Sequence, residues 1–184
     1  MIKQQHDKNQ HKLIERFNGS TREIVSEVLA HESLTRDWRR AWCVVADVRL
    51  ELADAHLAAA VSLQEGFSDP VDRSVKRAVI SRAYYAMYCA ARAAVSLETE
   101  GDVNDHTKLP LILNATTGLR PDDDRSTVAT ALRKFRMLRN EADYSAYYPA
   151  SFEDDACAAV AEAKKVFCIC HGWATAIRQK RGLI

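Results

Sequence analysis

Ser81-Arg82-Ala83-Tyr84-Tyr85-Ala86-Met87-Tyr88-Cys89-Ala90-Ala91 is the stretch that decides the fold. No Gly or Pro interrupts it. Ile80, Tyr84, Met87, Ala91 and Val95 recur in steps of three and four, so they share one face of a helix. Ala83, Ala86, Ala90 and Ala94 lie beside that stripe. Small side chains let a neighbouring helix approach closely, which predicts that this segment, about Val71 to Glu98, is the central helix of a bundle.

The whole composition agrees. The 184 residues include 28 alanines but only six Gly and four Pro, well below the roughly 12% that Gly and Pro average together. Ala costs least in a helix and Gly and Pro cost most, so the chain reads as all-α. A β-sandwich or barrel needs many more turn residues. The length suits one domain with its own core. A net charge of +1 and a pI near 7.7 exclude binding of nucleic acid by bulk charge alone.

The breakers fall between periodic segments. A first long helix is predicted from about Asp37 to Glu65, with Trp38, Trp42, Val45, Val48, Leu52, Ala55 and Ala59 as its stripe, closed by Gly66 and Pro70. Gly101 ends the central helix, and a short helix follows at Leu109–Leu113. After Gly118 and Pro121, Asp122, Asp123 and Asp124 supply the negative charge that a helix start favours. That helix carries Val128, Leu132, Phe135 and Leu138 and reaches about Ala142. Pro149 breaks the chain before a last helix, about Phe152 to Ile177, whose inner side is Ala156, Val160, Ala163, Phe167 and Cys170. The expected fold is an up-and-down bundle of four or five helices with an extra N-terminal helical segment. Residues 1–34 read as a polar leader with a short amphipathic helix (Ile24, Val25, Val28, Leu29), residues 35–178 as the bundle and 179–184 as a tail.

No apolar run is long enough to span a membrane, and the first residues lack the apolar core of a secretory signal, so the expected location is cytoplasmic. The five cysteines lie in apolar helical text and read as buried thiols. Cys168 and Cys170 point about 200° apart on a helix, so with His171 they make no zinc site. No metal or cofactor is expected.

Two stretches break the bundle's pattern. Three of six tyrosines, Tyr84, Tyr85 and Tyr88, fall within five residues. They are either core packing with hydroxyls at the rim, or Tyr85 bonds a polar group planted in the bundle. Residues 132–144 contain such a group. Helical spacing sets Arg139 on the face of Val128, Leu132, Phe135 and Ala142, where an unpaired charge is too costly. Asp143, four residues on, is the expected partner. Arg133, Lys134 and Arg136 face solvent, where beside a cleft they would steer a phosphate backbone.

The run SRAYYAMYCAARA (81–93), the element Asp105-His106-Thr107-Lys108-Leu109 and the run RNEADY (139–144) together resemble the HEPN superfamily. The likeness is to its prokaryotic branch with a Tyr-Tyr-Ala-Met helix and an Arg-x-x-Ala-Asp-Tyr motif, and it covers about residues 35–170. It implies a helical bundle that dimerises. Members of that superfamily are often metal-independent ribonucleases of toxin–antitoxin, abortive-infection or CRISPR-linked systems, and many work beside a minimal nucleotidyltransferase. Their nuclease signature is an Arg followed, after four to six residues, by a His. Arg139 matches the Arg and precedes Asn140, but Tyr144 stands where the shortest form has His, and no His occurs before His171.

The departure bears on chemistry. Imidazole exchanges protons near neutrality, whereas tyrosine titrates near 10 and an arginine side chain stays charged. His106 is the best substitute; its bland role is to brace its loop. His56, beside Asp54 in sequence, reads as a satisfied boundary histidine. Two functions follow. In one, a homodimer acts on RNA in a cleft lined by Arg139, Asp143, Tyr144 and His106, with Tyr85, Arg136, Asn140 and Arg133 as binding residues. In the other, a non-catalytic helical module binds a nucleotidyltransferase or other defence partner, and Arg139, Asp143 and Tyr85 fix helix register.

Overall fold

The structure, a computed structural model, describes residues 32–66, 73–115, 121–147 and 151–184. It is all-helical, with α1 (Glu32–Glu65), α2 (Arg73–Thr99), α3 (Leu109–Ala115), α4 (Asp122–Tyr144) and α5 (Phe152–Lys180). The expected amphipathic segment at 24–29 lies outside the described residues. α1 begins before the expected Asp37, and α5 runs past the expected boundary at 178.

α2 is the central element, in contact with all four other helices. Its whole predicted stripe and the four flanking alanines are buried. The long helices run up and down. Arg39, near the start of α1, pairs with Glu100 just past the end of α2. Arg77, near the start of α2, reaches the end of α4. Lys76 pairs with Glu153 at the start of α5, and Arg181, just past its end, reaches the last turn of α2, so α2 and α5 run parallel.

Helix ends follow the macrodipole. Acidic residues occupy the first turns of α4 and α5, and Arg178 and Lys180 the last turn of α5. α2 ends at Thr99, just before Gly101, as expected. Gly101 is not the left-handed residue there; Glu100 is, with φ of 51°. A non-Gly residue in that region costs energy and needs support. Here Arg39 Nε and Arg181 Nη1 hold the Glu100 carboxylate at 3.0 and 3.1 Å.

Two side-chain expectations are corrected. Leu52 and Ala55 of the α1 stripe are exposed, whereas Ala46, Arg49, Leu50 and Ala53 are buried. The predicted stripe stepped by about 3.5 residues and so drifted off the face of a helix that turns every 3.6. A charged Arg49 on the true face hid it. Among the cysteines, none of them in a disulfide, only Cys170 is buried; Cys43 and Cys89 are half-buried, and Cys157 and Cys168 lie exposed on the outer side of α5.

Candidate functional site

α2 and α4 bring the two unusual stretches together. Arg139 Nη2 donates to the Tyr85 hydroxyl at 2.5 Å, and Arg139 Nε lies 2.6 Å from Asp143 Oδ2. The second contact is an ion pair whose angle does not make a hydrogen bond. Nη1 donates to Asn140 Oδ1 at 3.1 Å. The guanidinium also lies 5.1 Å from the Tyr85 ring and 5.4 Å from the Tyr144 ring. Ser81 Oγ, one turn before Tyr85, donates to Asp143 Oδ2 at 3.3 Å. Burial opposes the Arg139 charge, but Asp143, Tyr85 and Tyr144 outweigh it and hold the group above its ordinary value. Arg139 is therefore a charged group at the rim, with about 18% of its side chain exposed.

His106 joins the same cluster from the loop before α3. Asp105 shapes that loop. Its Oδ1 accepts from the Thr107 backbone N–H at 2.7 Å, the Lys108 N–H at 3.2 Å and the Thr107 hydroxyl at 2.6 Å. Those bonds to its charged form hold the Asp105 carboxyl below its usual range, the Thr107 hydroxyl contributing most. The His106 ring then stacks on Tyr88 at 3.8 Å, and its Nδ1 lies 2.6 Å from the Tyr84 hydroxyl. Burial lowers the His106 pKa, helped by the Arg139 and Arg136 charges, so the ring is neutral at pH 7. Burial also pushes the Tyr84 hydroxyl well above its ordinary value, with Tyr88 adding to it. The hydrogen bond between them thus joins two neutral groups. Among the described residues the buried Tyr88 hydroxyl has no hydrogen-bond partner.

The remaining expected site residues lie around this centre. Arg136 is half-buried, while Arg133 and Asn140 are exposed. Tyr144 is 77% exposed, Tyr147 72% and Met137 66%. Met137 and Tyr144, two turns apart, share the outer face of α4.

Sequence reading missed three features. His56 of α1 stacks on Tyr85 with ring centroids 5.6 Å apart, and Arg82 Nη1 lies 3.4 Å from its Nδ1. Only the i,i+4 step from Ser81 to Tyr85 marked that face, and nothing in α1 pointed to it. Arg77 satisfies the end of α4 by donating to the carbonyls of Ala142, Ser145 and Tyr147 at 2.6 to 2.9 Å. Asp102 is a buried hub that binds Arg49 at 2.9 Å and Arg92 at 2.5 and 2.8 Å. Burial pulls Arg49 down to about 10 against the attraction of Asp102.

Among the described residues no group of three or more His, Cys, Asp or Glu is arranged to hold a metal ion, and no helix is long and apolar enough to cross a membrane. A groove of about 380 Å³ between α4 and α5, lined by Ser126, Thr130, Lys134, Phe135, Glu162 and Lys165, shares no residue with the Arg139 cluster. No family model and no curated protein matches the chain.

Proposed function

We propose that this chain is an RNA-directed protein of the HEPN type. It works as a cytoplasmic homodimer in a toxin–antitoxin or defence system, with His106 in the role of the histidine missing after Arg139. The observation that carries this reading is that a neutral imidazole and a charged, partly exposed guanidinium share one aromatic cluster. Such a pair suits cleavage by the ribose 2′-hydroxyl. His106 takes the hydroxyl proton, the 2′-oxygen attacks phosphorus, and Arg139 offsets the charge that builds on the phosphoryl oxygens. The bond to the 5′-oxygen breaks, and the Tyr144 hydroxyl gives a proton to it. The products are a 2′,3′-cyclic phosphate and a 5′-hydroxyl end.

A second reading rests on a different observation. Asp143 neutralises much of Arg139, and Met137, Tyr144 and Tyr147 present apolar surface to solvent. That arrangement suits a non-catalytic module that docks a minimal nucleotidyltransferase or other defence partner.

Incubating purified protein with single-stranded RNA separates the two. The ribonuclease reading expects cyclic-phosphate ends from wild type and their loss in both Arg139→Ala and His106→Ala, with helix content and melting retained. RNA that stays whole but is bound through Arg139 removes the chemistry and leaves recognition. RNA neither cut nor bound leaves the docking module.

A further inference from the structure

Arg82 is unlike the other anchored arginines of the bundle. Arg49, Arg92, Arg139, Arg178 and Arg181 each lie against a carboxylate, and Arg77 against backbone carbonyls. Arg82 is exposed, and its polar contact among the described residues is the His56 ring nitrogen. A guanidinium only donates hydrogen bonds, so His56 Nδ1 is the acceptor and the neutral ring carries its proton on Nε2. Burial and the Arg82 charge both keep that ring neutral. Among the described residues, the remaining Arg82 N–H groups and His56 Nε2–H therefore have no acceptor.

They also sit beside the Arg139 cluster, because one tyrosine ring joins the two. Tyr85 has His56 stacked at 5.6 Å and the Arg139 guanidinium at 5.1 Å from its centroid. Arg82, Arg136 and Arg139 all act electrostatically on the histidines here. Of the acids nearby, Asp143 is taken by Arg139, and Asp105 is taken by its own loop. Among the described residues neither Arg82 nor Arg136 pairs with a carboxylate, so the patch has more positive charge than it satisfies.

We propose that Arg82 and His56 form a second phosphate subsite, so that an RNA strand held at Arg139 continues across Tyr85 onto α1. This rests on the RNA-directed reading above and extends it to a binding path. Arg82 supplies charge to the phosphate, and His56 Nε2–H supplies a neutral hydrogen bond. Both are binding residues and neither is needed for the proton transfers.

The test is fluorescence anisotropy of the full chain with a labelled 2′-O-methyl oligoribonucleotide, which cannot be cleaved, across a range of salt. Each phosphate contact on a single strand contributes about 0.7 to the log–log salt slope. Arg82→Gln is expected to lower the slope by about 0.7 and weaken binding about fivefold at 0.1 M salt, while Arg82→Lys keeps the slope. His56→Phe keeps the ring stack but loses the donor, so binding weakens about threefold with the slope unchanged. Arg139→Ala weakens binding in either case. Binding lost in Arg139→Ala but equal to wild type in Arg82→Gln overturns the subsite and leaves the RNA-directed reading standing. A slope lost equally in the Gln and Lys variants also overturns it, since charge is then not the cause. A wild-type chain that does not bind the oligonucleotide sinks both.

Discussion

The bundle holds two arginine clusters on α2, and they put the same chemistry to opposite ends. At the C-terminal end, Arg49 and Arg92 close on Asp102, whose side chain is 3% exposed, and Ser96 takes another Arg49 donor. Near the N-terminal half, Arg139 meets Tyr85 and Asp143 at the rim, among neutral histidines. In the first cluster both charges close on one carboxylate inside the protein, so it locks α1 to α2 and to the loop after α2. In the second, charge remains at the surface. An arginine cluster is a candidate for recognition when it lies at a rim and its acids are outnumbered.

The sharpest way to break that contrast is Asp102→Ala. It takes the shared carboxylate from two like charges, Arg49 buried and Arg92 half-buried, and should cost about 3 kcal/mol or more in chemical denaturation. A loss below about 1 kcal/mol would make the buried cluster no different from the exposed one. Tyr84→Phe should cost about 1 kcal/mol by removing the partner of His106 Nδ1, measured the same way. Arg139→Ala should cost less than about 1 kcal/mol, because its ion pair is partly solvated, while RNA binding falls steeply. If its stability loss matches that of Asp102→Ala, the rim cluster is structural too.

The smallest effect is in pH. His106 and His56 have folded-state pKa values below 6.5, so the unfolded chain binds protons more readily. Their contribution is complete above pH 6.5 and shrinks as pH falls below it toward the folded-state values. His106→Gln should flatten that slope in the window above carboxylate protonation, followed by thermal melts at several pH values. An unchanged slope would mean that His106 titrates alike in both states.

The sequence disclosed the fold almost entirely because Gly and Pro mark its loops and α2 keeps a clean apolar face. It disclosed the Tyr85–Arg139–Asp143 group for a local reason: Arg139 interrupts an apolar stripe, and an i,i+4 partner follows. The Arg49–Asp102 cluster stayed hidden because its members come from α1, α2 and a loop and share no periodic signal. The same holds for His56 against Tyr85, a contact made only when α1 packs on α2. Local spacing reports partners on one helix; contacts between helices depend on a register that one sequence does not display.

Glu100 carries one further consequence. Its left-handed backbone ends α2, yet glycine, the residue suited to that geometry, stands one position later. The carboxylate is held by Arg39 near one end of the described chain and by Arg181 near the other. The stop signal for α2 is thus written far from the place where the helix stops. A peptide of α2 and its following loop keeps Gly101 and the Arg92–Asp102 pair but lacks both partners of the Glu100 carboxylate, so the left-handed turn gains its full support only once α1 and α5 have both docked. Helix termination here is an act of assembly, and the residues after α5 that read as a tail are its clasp.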